Sequence, residues 1–271
     1  MNASGPVGVF DSGLGGVSVL RELVRTLPHE NFVYLADSAW CPYGGRPAAE
    51  VAARAGNVTE ILLERGSKLI VVACNTATVA AIGELRRRWP IEFVGVEPAV
   101  KPAAAASRSR VVGVLSTRVT ASGARMHALI ERYAHGAKVL TQACPGLVER
   151  VEAGDLGGAA TRALVERYVR PLLAVGADTL VLGCTHYAFL RPLIAEVAGP
   201  AVAIVEPGRA VARRVADRLA AVGLSAPAGR IGTVEWLTTG SPQVMERVGR
   251  RLWGSALCAR AVHDAVVVQR S

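Results

Sequence analysis

The 271-residue chain lacks long apolar runs and closely spaced cysteine pairs, and it has little lysine and only 5% aromatic residues. Each shortage excludes something. A membrane-spanning helix needs about 20 consecutive apolar residues, and runs such as 69–73 and 179–182 are strand-length, so no membrane association is expected. Residues 1–9 have neither a basic region nor a long apolar stretch, so no export signal is expected and the chain is read as cytoplasmic. Only Lys68, Lys101 and Lys138 occur among 31 basic residues. Cofactor chemistry that needs a Schiff-base lysine is disfavoured accordingly, because Lys68 starts a strand and the other two flank linker-like or edge segments. The five cysteines Cys41, Cys74, Cys144, Cys184 and Cys258 form no CxxC pair. That argues against structural zinc, whose ligands come in short-spaced pairs, and for reduced thiols. No metal is expected.

What is present is apolar and basic. A hydrophobic content of 51% excludes intrinsic disorder. The formal net charge of +9, with arginine runs at 86–88, 213–214 and 250–251, would suit a nucleic-acid partner or simply an arginine-rich solvated surface. No nucleic-acid module accompanies the charge, so contact with nucleic acid or a nucleic-acid enzyme has no sequence support.

Apolar runs at 7–10, 32–36, 69–73, 93–96, 111–115, 138–142, 179–182 and 203–205 read as strands buried on both faces. Helix-like stretches at 17–26, 48–65, 78–88, 122–134, 158–174 and 208–221 alternate with them, and short strands are expected at 234–239 and 261–268. The alternation predicts an α/β fold with mainly parallel sheets. Residues 66–76 can be laid on 176–186, and 7–12 on 112–117, at offsets of 110 and 105 residues. A period that long suggests duplication rather than a solenoid, hence two pseudo-symmetric α/β domains with the active site in the cleft between them. Chance matching of apolar strands is the competing explanation. Punctuation near Glu97-Pro98 and Glu206-Pro207-Gly208 predicts one domain from 1–97 plus 208–271 and another from 98–207.

In such sheets ligands bind beyond the carboxyl ends of strands, and four polar clusters stand there. Asp11-Ser12-Gly13-Leu14-Gly15-Gly16 is a glycine-rich strand-to-helix turn able to meet an anion, or merely a tight capped turn. Cys74-Asn75-Thr76 and Cys184-Thr185-His186 end the two matched strands, where a helix N-terminus favours thiolate. An ordinary cysteine there is a small buried hydrophobe, a reading weakened because both are followed by polar side chains. His186 suits a general acid/base or a capping role equally. His29, His127, His135 and His263 take only surface or structural readings, as do Cys41, Cys144 and Cys258. Asp37-Ser38 with Cys41-Pro42-Tyr43-Gly44-Gly45 makes a rigid turn; Cys41 adjoins this cluster.

Taken in order, Phe10-Asp-Ser-Gly-Leu-Gly-Gly16, Tyr34-Leu-Ala-Asp37 with Pro42-Tyr-Gly44, Ala73-Cys-Asn-Thr76, Gly113-Val-Leu-Ser-Thr117 with Thr120, and Leu182-Gly-Cys-Thr-His-Tyr187 resemble the glutamate racemase family. The resemblance runs from Val7 to about Trp253. It implies a cofactor-independent enzyme, commonly a homodimer, that interconverts L- and D-glutamate with two thiols and supplies D-glutamate for peptidoglycan. It assigns Cys74 to proton exchange with D-glutamate and Cys184 to exchange with L-glutamate. Asp11 matches the acid beside the first thiol, and His186 and Glu152 the groups beside the second. Ser12, Pro42, Tyr43, Gly44, Asn75, Thr76, Thr117, Thr120 and Thr185, with Asp11 and His186, match positions that hold substrate. Glu206-Pro207 departs from the family's Asp-plus-small pair, and Trp40-Cys41 stands where a basic residue is expected. An aspartate racemase shares the two-cysteine plan, and a binding protein on this scaffold is the alternative from another class.

Overall fold

The computed structural model describes residues 2–262. Among these residues ten strands form two wholly parallel sheets. In chain order they are β1 (Val7–Asp11), β2 (Phe32–Ala36), β3 (Leu69–Val72), β4 (Glu92–Gly95), β5 (Val111–Ser116), β6 (Lys138–Ala143), β7 (Thr179–Gly183), β8 (Ala203–Val205), β9 (Val234–Thr238) and β10 (Ala259–Ala261). The larger sheet runs β10-β9-β2-β1-β3-β4 and the smaller β6-β5-β7-β8. Strands β1, β2, β3 and β7 are buried at every residue. That is why they read in the sequence as unbroken apolar runs instead of alternating ones.

The order β2-β1-β3-β4 is repeated as β6-β5-β7-β8. The internal repeat is therefore topological as well as sequential: β1 corresponds to β5 and β3 to β7. Each sheet changes winding direction at the central pair, β1/β3 or β5/β7, and a crevice opens beyond such a switch point. Cys74 follows β3 and Cys184 follows β7. The two cysteines occupy equivalent places.

Local differences from expectation have simple causes. The helix Asn75–Arg88 begins three residues early because the Cys74 thiol itself caps it, accepting from the Ala77 N–H at 3.5 Å. The stretch expected as one helix at 122–134 is two, Arg118–Ser122 and Ala124–Tyr133, separated by Gly123 in extended conformation. Residues 185–190 form a 3-10 turn before the helix Arg191–Ala198. Helices at Val100–Ala106, Leu147–Glu152 and Pro242–Trp253 were not foreseen. The strand expected at 261–268 is described only as β10, and residues 263–268 lie outside the described residues, as does His263.

Candidate active site

The polar clusters collect at the carboxyl ends of the central strands. Asp11 ends β1 and is fully buried. Its Oδ2 accepts from the Gly16 N–H at 2.7 Å and from the Thr185 hydroxyl, across from the other sheet, at 3.3 Å. Burial pushes the Asp11 carboxyl above its usual range. The Cys74 thiol lies 3.8 Å from the Ser12 hydroxyl. Burial drives this thiol far above its ordinary pKa, and the Asp11 and Cys184 charges push in the same direction.

Three buried polar atoms lack partners here: Asp11 Oδ1, Asn75 Oδ1 and Asn75 Nδ2. A buried primary amide with neither end bonded is costly unless something occupies the space beside it. Next to Asn75 the Thr76 hydroxyl meets Thr117 at 3.0 Å and Thr120 at 3.5 Å, and Thr117 meets Thr120 at 3.1 Å. These hydroxyls span both sheets, since Thr117 caps the helix that follows β5.

On the opposite wall Cys184 Sγ lies 3.8 Å from His186 Nδ1. His186 Nε2 is 2.6 Å from Glu152 Oε1, which also accepts from the Leu14 N–H at 2.6 Å. Burial alone would lower the His186 pKa, but hydrogen bonds to Cys184, Cys41 and Glu152, with the Glu152 charge, raise it well above the ordinary value. The paired sites thus differ: a carboxylate serves Cys74, and a histidine–carboxylate pair serves Cys184.

The glycine-rich turn is not an open anion cradle. Two of its amides, Leu14 and Gly16, already donate to Glu152 and Asp11. Its glycines are needed for close approach. A Cβ at Gly13 would sit 2.2 Å from Glu152 Oε1, and one at Gly15 2.2 Å from His186 Nδ1. Gly15→Ala is expected to displace the imidazole and lower turnover by about a hundredfold, the usual cost of a misplacement near 1 Å. Steady-state kinetics beside an unchanged circular dichroism spectrum would check it, and wild-type turnover would refute it.

The turn carrying Pro42, Tyr43 and Gly44 is held from behind. Asp37 is fully buried and accepts from Arg54 through both oxygens at 2.6 Å, from Tyr43 Oη at 2.5 Å and from Thr239 at 2.7 Å. Gly44 packs so closely on Thr117 that a Cβ would lie 2.6 Å from the Thr117 Cβ. Arg54 went unnoticed in the sequence, although a guanidinium among Val51, Ala55, Val58 and Leu62 on the buried face of the helix Ala48–Glu64 was the available signal. Where a basic residue was expected near Trp40, Arg46 and Arg54 reach over the indole at 5.0 and 5.2 Å.

Cys41, read as structural, lies beside these side chains: it is half-buried, and it, Glu152 and His186 each bring one ligand atom to within 4.8 Å of the others. Burial raises its pKa to about 11. Glu206 pairs with Arg191 at 2.8 Å, and both line a cleft whose wall also includes Cys184 and Thr185. Cys258 is exposed, whereas Cys144 is buried against the Gln142 carbonyl and lines a pocket with Pro42, Gly44 and Thr117. Lys68 is buried in an ion pair with Glu30 at 2.6 Å. His29 approaches the Arg230 carbonyl, while His127 and His135 are exposed. Among the described residues no helix is long and apolar enough to cross a membrane.

Residues 7–215 match the family described as Asp/Glu/hydantoin racemase. A glutamate racemase of Herpetosiphon aurantiacus is 56% identical over 237 residues, 88% of this chain and 93% of that one. Among solved structures, a glutamate racemase isoform from Bacillus anthracis superposes with a TM-score of 0.87 at 31% identity, covering 98% of this chain and 100% of the other. The Escherichia coli glutamate racemase, solved with L-glutamate and the activator UDP-MurNAc-Ala, gives 0.81 at 31% identity, covering 95% and 97%.

Proposed function

Since the chain belongs to the Asp/Glu/hydantoin racemase family and is an amino-acid racemase, we propose that it interconverts L- and D-glutamate by proton transfer between two thiols. In this reading it works in the cytoplasm as a homodimer, without a cofactor, and supplies D-glutamate for peptidoglycan. Residues 1–97 with 208–271 form one unit and 98–207 the other, and the substrate lies between them. The placement of Cys74 and Cys184 at equivalent strand ends, with the unpartnered Asn75 amide beside Cys74, carries the proposal.

Racemisation must remove the α-proton from one face and return one to the other. With L-glutamate, the Cys184 sulfur takes the α-proton and its C–H electron pair stays on carbon as a carbanion. The Cys74 S–H then delivers its proton to the opposite face. The enzyme is left with the thiol and thiolate exchanged, ready for D-glutamate. Burial and Asp11 favour Cys74 as the S–H donor before substrate enters, and a bound ammonium ion would offset that bias. Asn75, Thr76, Thr117, Thr120 and Thr185 are donors for the substrate carboxylates, with Ser12, Pro42, Tyr43 and Gly44 closing the pocket. Fixed donors around the α-carboxylate stabilise the carbanion where water is excluded.

Proton NMR in D₂O with no added cofactor tests the substrate. Loss of the α-proton signal from L-glutamate, with D-glutamate formed, is expected, and L-aspartate should remain unexchanged. Exchange of aspartate alone would move the substrate assignment. Exchange of neither by folded, reduced protein would overturn the reading.

A further inference from the structure

We propose that Cys41, Glu152 and His186 form an inhibitory site for a zinc-class divalent cation, set against the wall that carries Cys184. The three come from the loop after β2, the last position of the helix Leu147–Glu152 and the 3-10 turn after β7, so no short-spaced sequence motif announces them. One sulfur, one ring nitrogen and one carboxylate oxygen lie within 4.8 Å of one another. Zinc bonds of about 2.0–2.3 Å in a tetrahedron place ligand atoms roughly 3.3–3.8 Å apart, so side-chain rotations alone would close the set. A thiolate, an imidazole and a carboxylate together suit zinc or cobalt rather than the oxygen-seeking magnesium or calcium.

Three further features fit an ion. Both protein bonds to Glu152 fall on Oε1, which leaves Oε2 to turn inward. A cleft of about 340 Å³, lined by Leu14, Cys41, Pro42, Glu152 and Met245 among others, gives an access route from solvent. Gly13 keeps the space between the ligands clear, because a Cβ there would lie 2.9 Å from Cys41 Sγ. Three protein ligands would leave a fourth position for water.

Binding forms metal–sulfur, metal–nitrogen and metal–oxygen bonds. It releases to solvent the Cys41 thiol proton and the proton shared between His186 Nε2 and Glu152; nothing is oxidised or reduced. His186 then keeps a single proton on Nδ1, facing Cys184 at 3.8 Å, and is fixed in one tautomer. That removes its freedom to adjust to the changing charge on Cys184. The inhibition rests on the racemase reading; the binding does not.

Titration of the reduced protein with Co²⁺, followed by displacement with Zn²⁺, separates the two. One equivalent should bind with a thiolate-to-cobalt charge-transfer band. The band should vanish in Cys41→Ala, persist in Cys184→Ala, and need at least tenfold more cobalt in Glu152→Gln, since losing a direct ligand costs no less than the roughly 10–100-fold typical of an outer-shell partner. In the active wild type, Zn²⁺ should stop racemisation, and Cys41→Ala should need at least tenfold more zinc relative to its own uninhibited rate. A band that survives in Cys41→Ala, disappears in Cys184→Ala, or never forms would overturn the site. Stoichiometric binding without inhibition would overturn its inhibitory role.

Discussion

Cys74→Ser and Cys184→Ser are each expected to lower racemisation by roughly 10³-fold or more, about what one positioned acid/base contributes. A serine hydroxyl keeps the shape and can still hydrogen-bond, but near neutral pH it neither gives up its proton nor, without an alkoxide form, takes one from the α-carbon. The loss should be in kcat and should appear in both directions, because every turnover uses one residue as base and the other as acid. Cys74→Ser retains a hydroxyl near the Ser12 hydroxyl and the Ala77 N–H, so the helix cap survives and stability should change little. Cys258→Ser is the control, since that thiol is exposed and joins no part of the site. Racemisation rates within tenfold of wild type in either Cys74→Ser or Cys184→Ser would refute the two-thiol mechanism.

Arg54→Met is expected to destabilise the protein by about 3–5 kcal/mol, the usual cost of breaking a buried ion pair from one side. Asp37 would stay fully buried with the Tyr43 and Thr239 hydroxyls but without the guanidinium that meets both its oxygens. Such a loss is a large share of the stability of a typical domain. The turn carrying Pro42, Tyr43 and Gly44 should loosen as well, because Tyr43 is held by the same carboxylate. The pair is not credited with that much net stabilisation, since desolvating two charges offsets most of their attraction. Accordingly, Asp37→Asn combined with Arg54→Met should recover part of the loss. Urea denaturation of the three proteins checks this. A single variant within 1 kcal/mol of wild type, as an order-of-magnitude threshold for an exposed pair, would show that Asp37 does not depend on Arg54.

The most legible elements were strands whose burial is complete, although β6 and β8, which are partly exposed and not covered on both faces as expected, were also read as strands. Strands such as β1 and β7 have both faces covered, so their apolar runs were unambiguous. The helix Pro242–Trp253 was overlooked although its signals were present: Ser241 caps it by accepting from the Val244 N–H, proline stands at its start, and Gly254 adopts positive φ at its end. Its buried apolar positions Met245, Val248 and Leu252 recur once per turn among four charged residues and so make no continuous run. The helix Leu147–Glu152 is too short for periodicity to declare.

By itself the sequence determined the α/β class, the duplication, the family and the cysteines worth watching. Each depends on residues near in the chain or on a pattern repeated along it. Only the tertiary structure decided what surrounds those cysteines. It brought Glu152 onto the Leu14 amide and His186, Thr185 onto Asp11, Arg54 onto Asp37, and Cys41 into reach of His186. These partners come from segments distant in sequence and from both sheets, and no periodicity encodes such meetings. The strength of a buried charge or hydrogen bond depends on the groups folding places around it and on the water folding removes.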